Sequence, residues 1–202
     1  MADIIYEYAD SLYLNLTNNC PCNCSFCIRS QTSGMGSAKS LWLKSEPDAE
    51  QIIFQLGSIR LERFAEIVFC GFGEPFCALG ILLEVCRHLR SRPGTPPIRI
   101  NTNGLGDLIN NKPTAPLLKG LVDVVSISLN APDKHKYNEL CRPLFGEPAF
   151  GAMLGFAGEC KRYVPDVRFS LVNVISDDDV EKCREIANEL GIPLRIRGTE
   201  AV

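Results

Sequence analysis

The sequence predicts an α/β protein whose parallel sheet is curled into a partial, open barrel of the (βα)6 type. Short apolar runs recur along the chain, segments of helical spacing separate them, and several runs are polar at every second residue.

The first run, 12–16, leads straight into a cysteine-rich loop. Helical spacing over 47–61 precedes the second run, 67–70, and the segment 79–89 separates that from 98–100. A short helical piece at 115–119 precedes the strand 122–129, and 150–163 precedes 167–175. The last helix, 178–190, opens on acids after Ser176 and stops at Gly191, as the helix macrodipole and a left-handed C-terminal cap require, before the strand 194–196. Crossovers of this length suit parallel pairing. Residues 30–39 are the most loop-like stretch and read as a flexible lid.

Strands buried on both faces are nearly continuous in apolar residues, and several of these are not. Asn101 and Asn103 lie two apart, as do Ser126, Ser128 and Asn130, and Arg195 and Arg197, so each set falls on one face of its strand. Pointed into a barrel, these faces line a polar cavity at the carboxyl ends of the strands.

The 202 residues, 46% hydrophobic and 22% charged, suffice for one domain, 1–202, and the last strand lies so close to Val202 that no further cluster-binding domain is expected. A net charge of −3 argues against a surface that coats nucleic acid. No run approaches the roughly 20 apolar residues of a membrane span, and Asp3 stands where a signal peptide carries bases, so no membrane and a cytoplasmic location are expected.

Of the ten cysteines, Cys20, Cys22, Cys24 and Cys27 crowd one loop while the others scatter through apolar segments. Crowded thiolates suit zinc, copper(I) or an iron–sulfur cluster. Four ligands would close a structural site, whereas three would leave a position open to substrate.

Cys20, Cys24 and Cys27 give C-x3-C-x2-C with Phe26 before the last cysteine, which resembles the radical S-adenosylmethionine (SAM) superfamily. The resemblance implies the radical SAM core fold and a [4Fe-4S] cluster on those three thiolates, with Phe26 near the adenine and Cys22 outside the ligand set. A cluster so held reductively cleaves SAM to a 5'-deoxyadenosyl radical that abstracts hydrogen from a substrate.

Further segments follow in the family's order. Gly71-Phe72-Gly73-Glu74-Pro75 resembles its GGEP motif, with Phe72 for the first glycine, and implies that Gly73 and Glu74 bind the methionyl amino group. Asn101-Thr102-Asn103-Gly104 resembles the TNG strand end of glycyl-radical activating enzymes. Ser126 to Asn130 is similar to a VSLD segment, Asn130 replacing its aspartate, which implies that Ser128 and Asn130 lie near the ribose. Arg142, in the segment from Tyr137 to Pro143, is expected to pair with the methionyl carboxylate.

In length, in its LYLNLTN lead-in and in CGFGEP, the chain resembles the small TatD-associated radical SAM group, which implies a TatD-type nuclease as a partner. A low-potential donor such as flavodoxin or ferredoxin is implied as well, and the open barrel favours a bulky substrate, with macromolecules among the candidates. Alternatives within the class are a glycyl-radical activating enzyme and a carboxy-deazaguanine-synthase-like enzyme. Outside it stand a non-catalytic iron–sulfur redox sensor or electron carrier with Cys22 as fourth ligand, and a zinc module on all four thiolates.

Overall fold

The computed structural model describes residues 3–198; Val202 and its neighbours 199–201 lie outside the described residues. Seven strands form a single sheet in sequence order: β1 (Ile5–Tyr8), β2 (Ser11–Leu14), β3 (Glu66–Phe69), β4 (Ile98–Thr102), β5 (Val124–Ser128), β6 (Asp166–Val172) and β7 (Leu194–Arg197). β2 to β7 run parallel, each beside its successor, while β1 is antiparallel to β2. β1 and β7 are edges and do not pair, so the barrel stays open.

The six parallel strands are those the sequence predicts, with β5 and β6 shorter than their apolar runs. β1 is an addition. Its turn into β2 places Ala9 at φ 51°, so the Asn-Gly or Asp-Gly signal that normally announces a two-residue hairpin is missing.

One face of the sheet is apolar and fully buried. Ile67, Phe69, Ile98, Ile100, Val125, Ile127, Phe169 and Leu171 share a core with the helices, and each such side chain contributes about 1.5–3 kcal/mol by leaving water.

The helices that cover this face are α1 (Ala49–Gly57), α2 (Leu79–Ser91), α3 (Gly106–Asn110), α4 (Lys134–Cys141), α5 (Pro148–Cys160) and α6 (Asp177–Glu189). Their starts follow local chemistry. Asp48 caps α1 by accepting the Gln51 N–H at 2.8 Å, Pro148 occupies the first turn of α5, and Ser176 accepts the Asp179 N–H at 3.3 Å. The long helix expected at 47–61 breaks after Gly57, and 115–119 is a single 3-10 turn, Ala115–Leu118.

α3 and α4 escape the sequence reading. α4 is polar, burying only Tyr137 and Cys141, and is set by Asp133, whose carboxylate accepts the N–H groups of His135 and Lys136 at 2.9 and 3.0 Å. Among the described residues, no helix is long and apolar enough to cross a membrane.

The opposite face of the sheet is polar. Asn101 pairs in register with Ser126 and Ser126 with Arg168; Ser128 pairs with Ser170 and Ser170 with Arg195; Val172 pairs with Arg197. Side chains in lateral register share a face, so this row of polar groups lines the inside of the open barrel.

Candidate active site

A cavity of about 310 Å3 opens at the carboxyl ends of the parallel strands, and the polar strand face forms one wall. The loop after β2 forms another, with Cys20, Cys22, Cys24, Phe26 and Cys27 along it. An open groove of about 990 Å3 between β1, α1 and α2 touches none of these cysteines, so the chemistry belongs to the smaller cavity.

The cysteine loop is held from three sides. Asn15 is fully buried and donates its amide to the Leu41 carbonyl at 2.7 Å, and Asn18 exchanges two hydrogen bonds with the Leu43 backbone at 2.7 and 3.0 Å. Asn19 donates to Glu46 at 2.6 Å, and the Glu46 carboxylate also accepts from the Thr17 hydroxyl. The far half of the loop docks on the end of α4: the N–H groups of Asn23 and Ser25 donate to the carbonyls of Cys141 and Leu140 at 3.1 and 2.9 Å, and Leu144 donates back to Pro21 at 2.7 Å. These contacts satisfy carbonyls that a helix C-terminus leaves free.

The glycine-rich loop after β3 lies against the same segment, where the Glu74 N–H donates to the Asn19 carbonyl at 2.8 Å. A Cβ at Gly71 would overlap the Asn15 side chain, and one at Gly73 would overlap the Thr17 and Asn19 carbonyls. Phe72, between these glycines, is buried in a small core with Tyr6, Ala38 and Leu41 at the cavity's edge, the Trp42 ring edge-on at 5.1 Å.

Glu74 joins this loop to β4. Its buried carboxylate accepts from the Thr102 hydroxyl at 2.7 Å, the Asn103 N–H at 2.7 Å and the Phe76 N–H at 3.2 Å. Burial pushes its carboxyl up to about 7, against the pull of those donors. The Asn103 amide in turn faces Cys20 and Cys22, at 3.9 and 3.7 Å from their sulfurs.

The thiols are not equivalent. Hydrogen bonds from the Cys141 and Cys22 thiols pull Cys24 down to about 4, and the Cys22 thiol also lowers Cys20. Cys22 and Cys141, as the donors, are raised, and burial raises Cys27. Cys20 and Cys24 are the thiols drawn toward the thiolate that a metal ligand needs, whereas Cys22, buried beside them, is raised.

Among the described residues, no three His, Cys, Asp or Glu side chains are close enough to hold a single metal ion. An iron–sulfur cluster makes a different demand, because each thiolate binds its own iron. Three half-buried thiols around a cavity, two of them acidified, fit that donor set.

Of the other sequence-predicted residues, Phe26, Gly73, Glu74, Asn101, Asn103, Ser128 and Asn130 all line the cavity. Asn130 sits at φ 52° with its side-chain oxygen accepting the Val172 N–H at 3.1 Å. Arg142 is not brought there: it is exposed at the end of α4, φ 45°, with Nε donating to the Glu139 carbonyl at 3.3 Å. Tyr6, Tyr137, Arg99, Arg168 and Ser170 line the cavity without having been singled out from sequence.

The model of the radical SAM superfamily matches residues 14–193. The chain belongs to the radical SAM superfamily. Two GTP 3',8-cyclases, from Pseudomonas syringae pv. syringae (strain B728a) and Pseudomonas savastanoi pv. phaseolicola (strain 1448A / Race 6), are each 26% identical over 142 residues, 70% of this chain. That match spans 40% of each cyclase. A radical SAM methyltransferase from Sphaerobacter thermophilus superposes with a TM-score of 0.64 at 20% identity, covering 96% of this chain and 68% of its own, and shares the fold. The radical SAM family is one of enzymes, and membership implies SAM and a [4Fe-4S] cluster.

Proposed function

We propose that this radical SAM enzyme binds a [4Fe-4S] cluster through Cys20, Cys24 and Cys27 and uses SAM to abstract hydrogen from a substrate entering through the open side of the barrel. The carrying observation is convergence: the three thiols, the Glu74–Thr102–Asn103 junction and the polar ends of β4 to β7 meet at one cavity. When bound, the cluster supplies the electron that cleaves SAM to the 5'-deoxyadenosyl radical.

The protein's own groups then have defined tasks. Cys22 and Cys141 line the cavity beside the ligand thiols and help to set their basicity. Glu74 fixes the strand end from which Asn103 reaches the cysteine loop, and Gly73 lines the cavity where the methionyl amino group would bind. Asn101, Ser128 and Asn130 offer polar atoms toward the nucleoside, and Phe26 an apolar face. The cavity walls keep water from a reactive species held near its target.

Residues 1–202 acting as one radical SAM domain, a cytoplasmic setting, a flavodoxin or ferredoxin as electron donor, and a TatD-type nuclease as partner belong to the same proposal. Ten free thiols suit a reducing compartment. Co-purification with the chromosomally adjacent nuclease, if one is encoded, tests the partner.

Anaerobic reconstitution with iron and sulfide, then dithionite and SAM, tests the activity by chromatographic detection of 5'-deoxyadenosine. Its formation supports the reading. An intact reduced cluster that does not bind SAM favours the electron carrier, with Cys22, already against Cys20 and Cys24, as fourth ligand.

A further inference from the structure

Four arginines line the cavity from inside the barrel: Arg99 on β4, Arg168 on β6, and Arg195 and Arg197 on β7. Two are neutralised locally, Arg99 by Glu66 at 2.7 Å and Arg168 by Asp166. Among the described residues, Arg195 and Arg197 have no carboxylate partner, and the remaining acid of the cavity, Glu74, is engaged by three other donors.

Both are exposed, but toward the open interior of the barrel rather than on its outer face. The outward positions of β7 are Leu194 and Ile196, which pack on the core, while Arg195 pairs in register with the buried Ser170. Arg197 lines the cavity with Arg195, and the neighbouring arginines help to lower it below the usual arginine value. Like charges gathered at a polar wall leave a deficit that a bound anion fills.

A second observation points the same way. Arg99 is 9% exposed and its Nε, a donor, has no partner. A buried donor left unsatisfied costs about 1–3 kcal/mol, so an idle N–H in the cavity wall suits a ligand that offers acceptor oxygens.

We propose that the arginine-lined wall of the barrel binds the phosphoryl group of a phosphorylated substrate, with Arg195 and Arg197 as its charged donors and Ser170 beside them. Alternate residues of a strand lie about 7 Å apart, so two guanidinium groups can close on one ligand from both sides. A phosphate monoester, carrying a charge of about −1.5 to −2 and three outer oxygens, can occupy both forks, whereas one carboxylate fills one. The inference rests on the radical SAM reading only for which part of the substrate reacts.

The test is calorimetric titration of inorganic pyrophosphate into the reconstituted, SAM-loaded protein, with malonate as the carboxylate control. Pyrophosphate should bind at least about tenfold more tightly than malonate, and Arg195→Gln and Arg197→Gln should each weaken it about tenfold or more. Arg197→Lys, which keeps the charge and loses the fork, should fall between, and Arg162→Gln on the outer surface should change nothing. Melting curves check that each variant is folded.

Absence of pyrophosphate binding to the wild type, equal binding by a folded Arg195→Gln/Arg197→Gln variant, or a preference for malonate overturns the proposal. The deoxyadenosine assay on the same preparation separates the two readings. Deoxyadenosine without pyrophosphate binding sinks the anion site alone; arginine-dependent pyrophosphate binding without deoxyadenosine supports the anion site and counts against the radical chemistry.

Discussion

The Glu74 carboxylate accepts the backbone N–H of Asn103 at 2.7 Å, and this bond ties the loop after β3 to the end of β4. The same carboxylate takes the Thr102 hydroxyl, so two strand ends that each carry part of the cavity move as one unit. A geometry needed at both the thiols and the nucleoside end is thereby fixed before any ligand arrives.

That junction gives the apoprotein a pH dependence. Burial raises the Glu74 carboxyl from the ordinary 4.5 to about 7, so the folded state holds this proton more tightly than the unfolded chain. Its stability contribution is complete below about 4.5 and is lost as the pH rises through about 7. Calorimetry of the wild type and Glu74→Gln from pH 4.5 to 8 should show a downward slope in the wild type that the variant flattens. Parallel profiles would remove Glu74 as the cause.

Gly73 should tolerate no side chain. Its missing Cβ leaves room for the Thr17 and Asn19 carbonyls, which are backbone atoms and cannot swing aside. Gly73→Ala should cost about 2–3 kcal/mol of stability by urea denaturation and reduce cluster loading, since the displaced strap carries Cys20.

The parallel sheet was legible because its buried face is apolar in every strand, and the cavity because polar residues recur at a spacing of two. β1 and α4 were not. Ala9 supplies no turn signal, and α4 has only Tyr137 and Cys141 to reveal a buried side, its docking to the cysteine loop being made by backbone atoms. Arg168 was hidden for a related reason: with Asp166 two residues before it, it reads as half of a surface ion pair.

The thiols divide into acceptors and donors, and single changes should separate them. Cys24→Ala should abolish iron and sulfide incorporation, measured by colorimetric iron content and visible absorbance. Cys22→Ala should keep both nearly intact at a stability cost of about 1 kcal/mol for a buried side chain. Equal iron loss in the two variants would place Cys22 among the ligands.

Asn130 serves the fold at the position where the family pattern has an acid. Its left-handed backbone suits asparagine, and its side-chain oxygen accepts the Val172 N–H. Asn130→Ala should cost about 2–4 kcal/mol through strain and the abandoned N–H, while Asn130→Asp, keeping acceptor and conformation, should cost less than about 1 kcal/mol. Urea melts of both decide it; equal losses would assign the effect to the amide nitrogen instead.

Arg142 tests how far a motif carries position. The helix before it ends with Arg142 in a left-handed conformation, its N–H on the Asn138 carbonyl at 3.1 Å, and its guanidinium on the outside against Glu139. A glycine there would relieve the backbone, so Arg142→Gly should leave stability unchanged or raise it by about 0.5 kcal/mol. With the guanidinium away from the cavity, the KM for SAM should stay within about twofold and kcat should hold. A rise of about tenfold or more in KM alone, the signature of a lost charge-assisted bond made equally in ground and transition states, would show that the side chain turns inward to the methionyl carboxylate once SAM is bound.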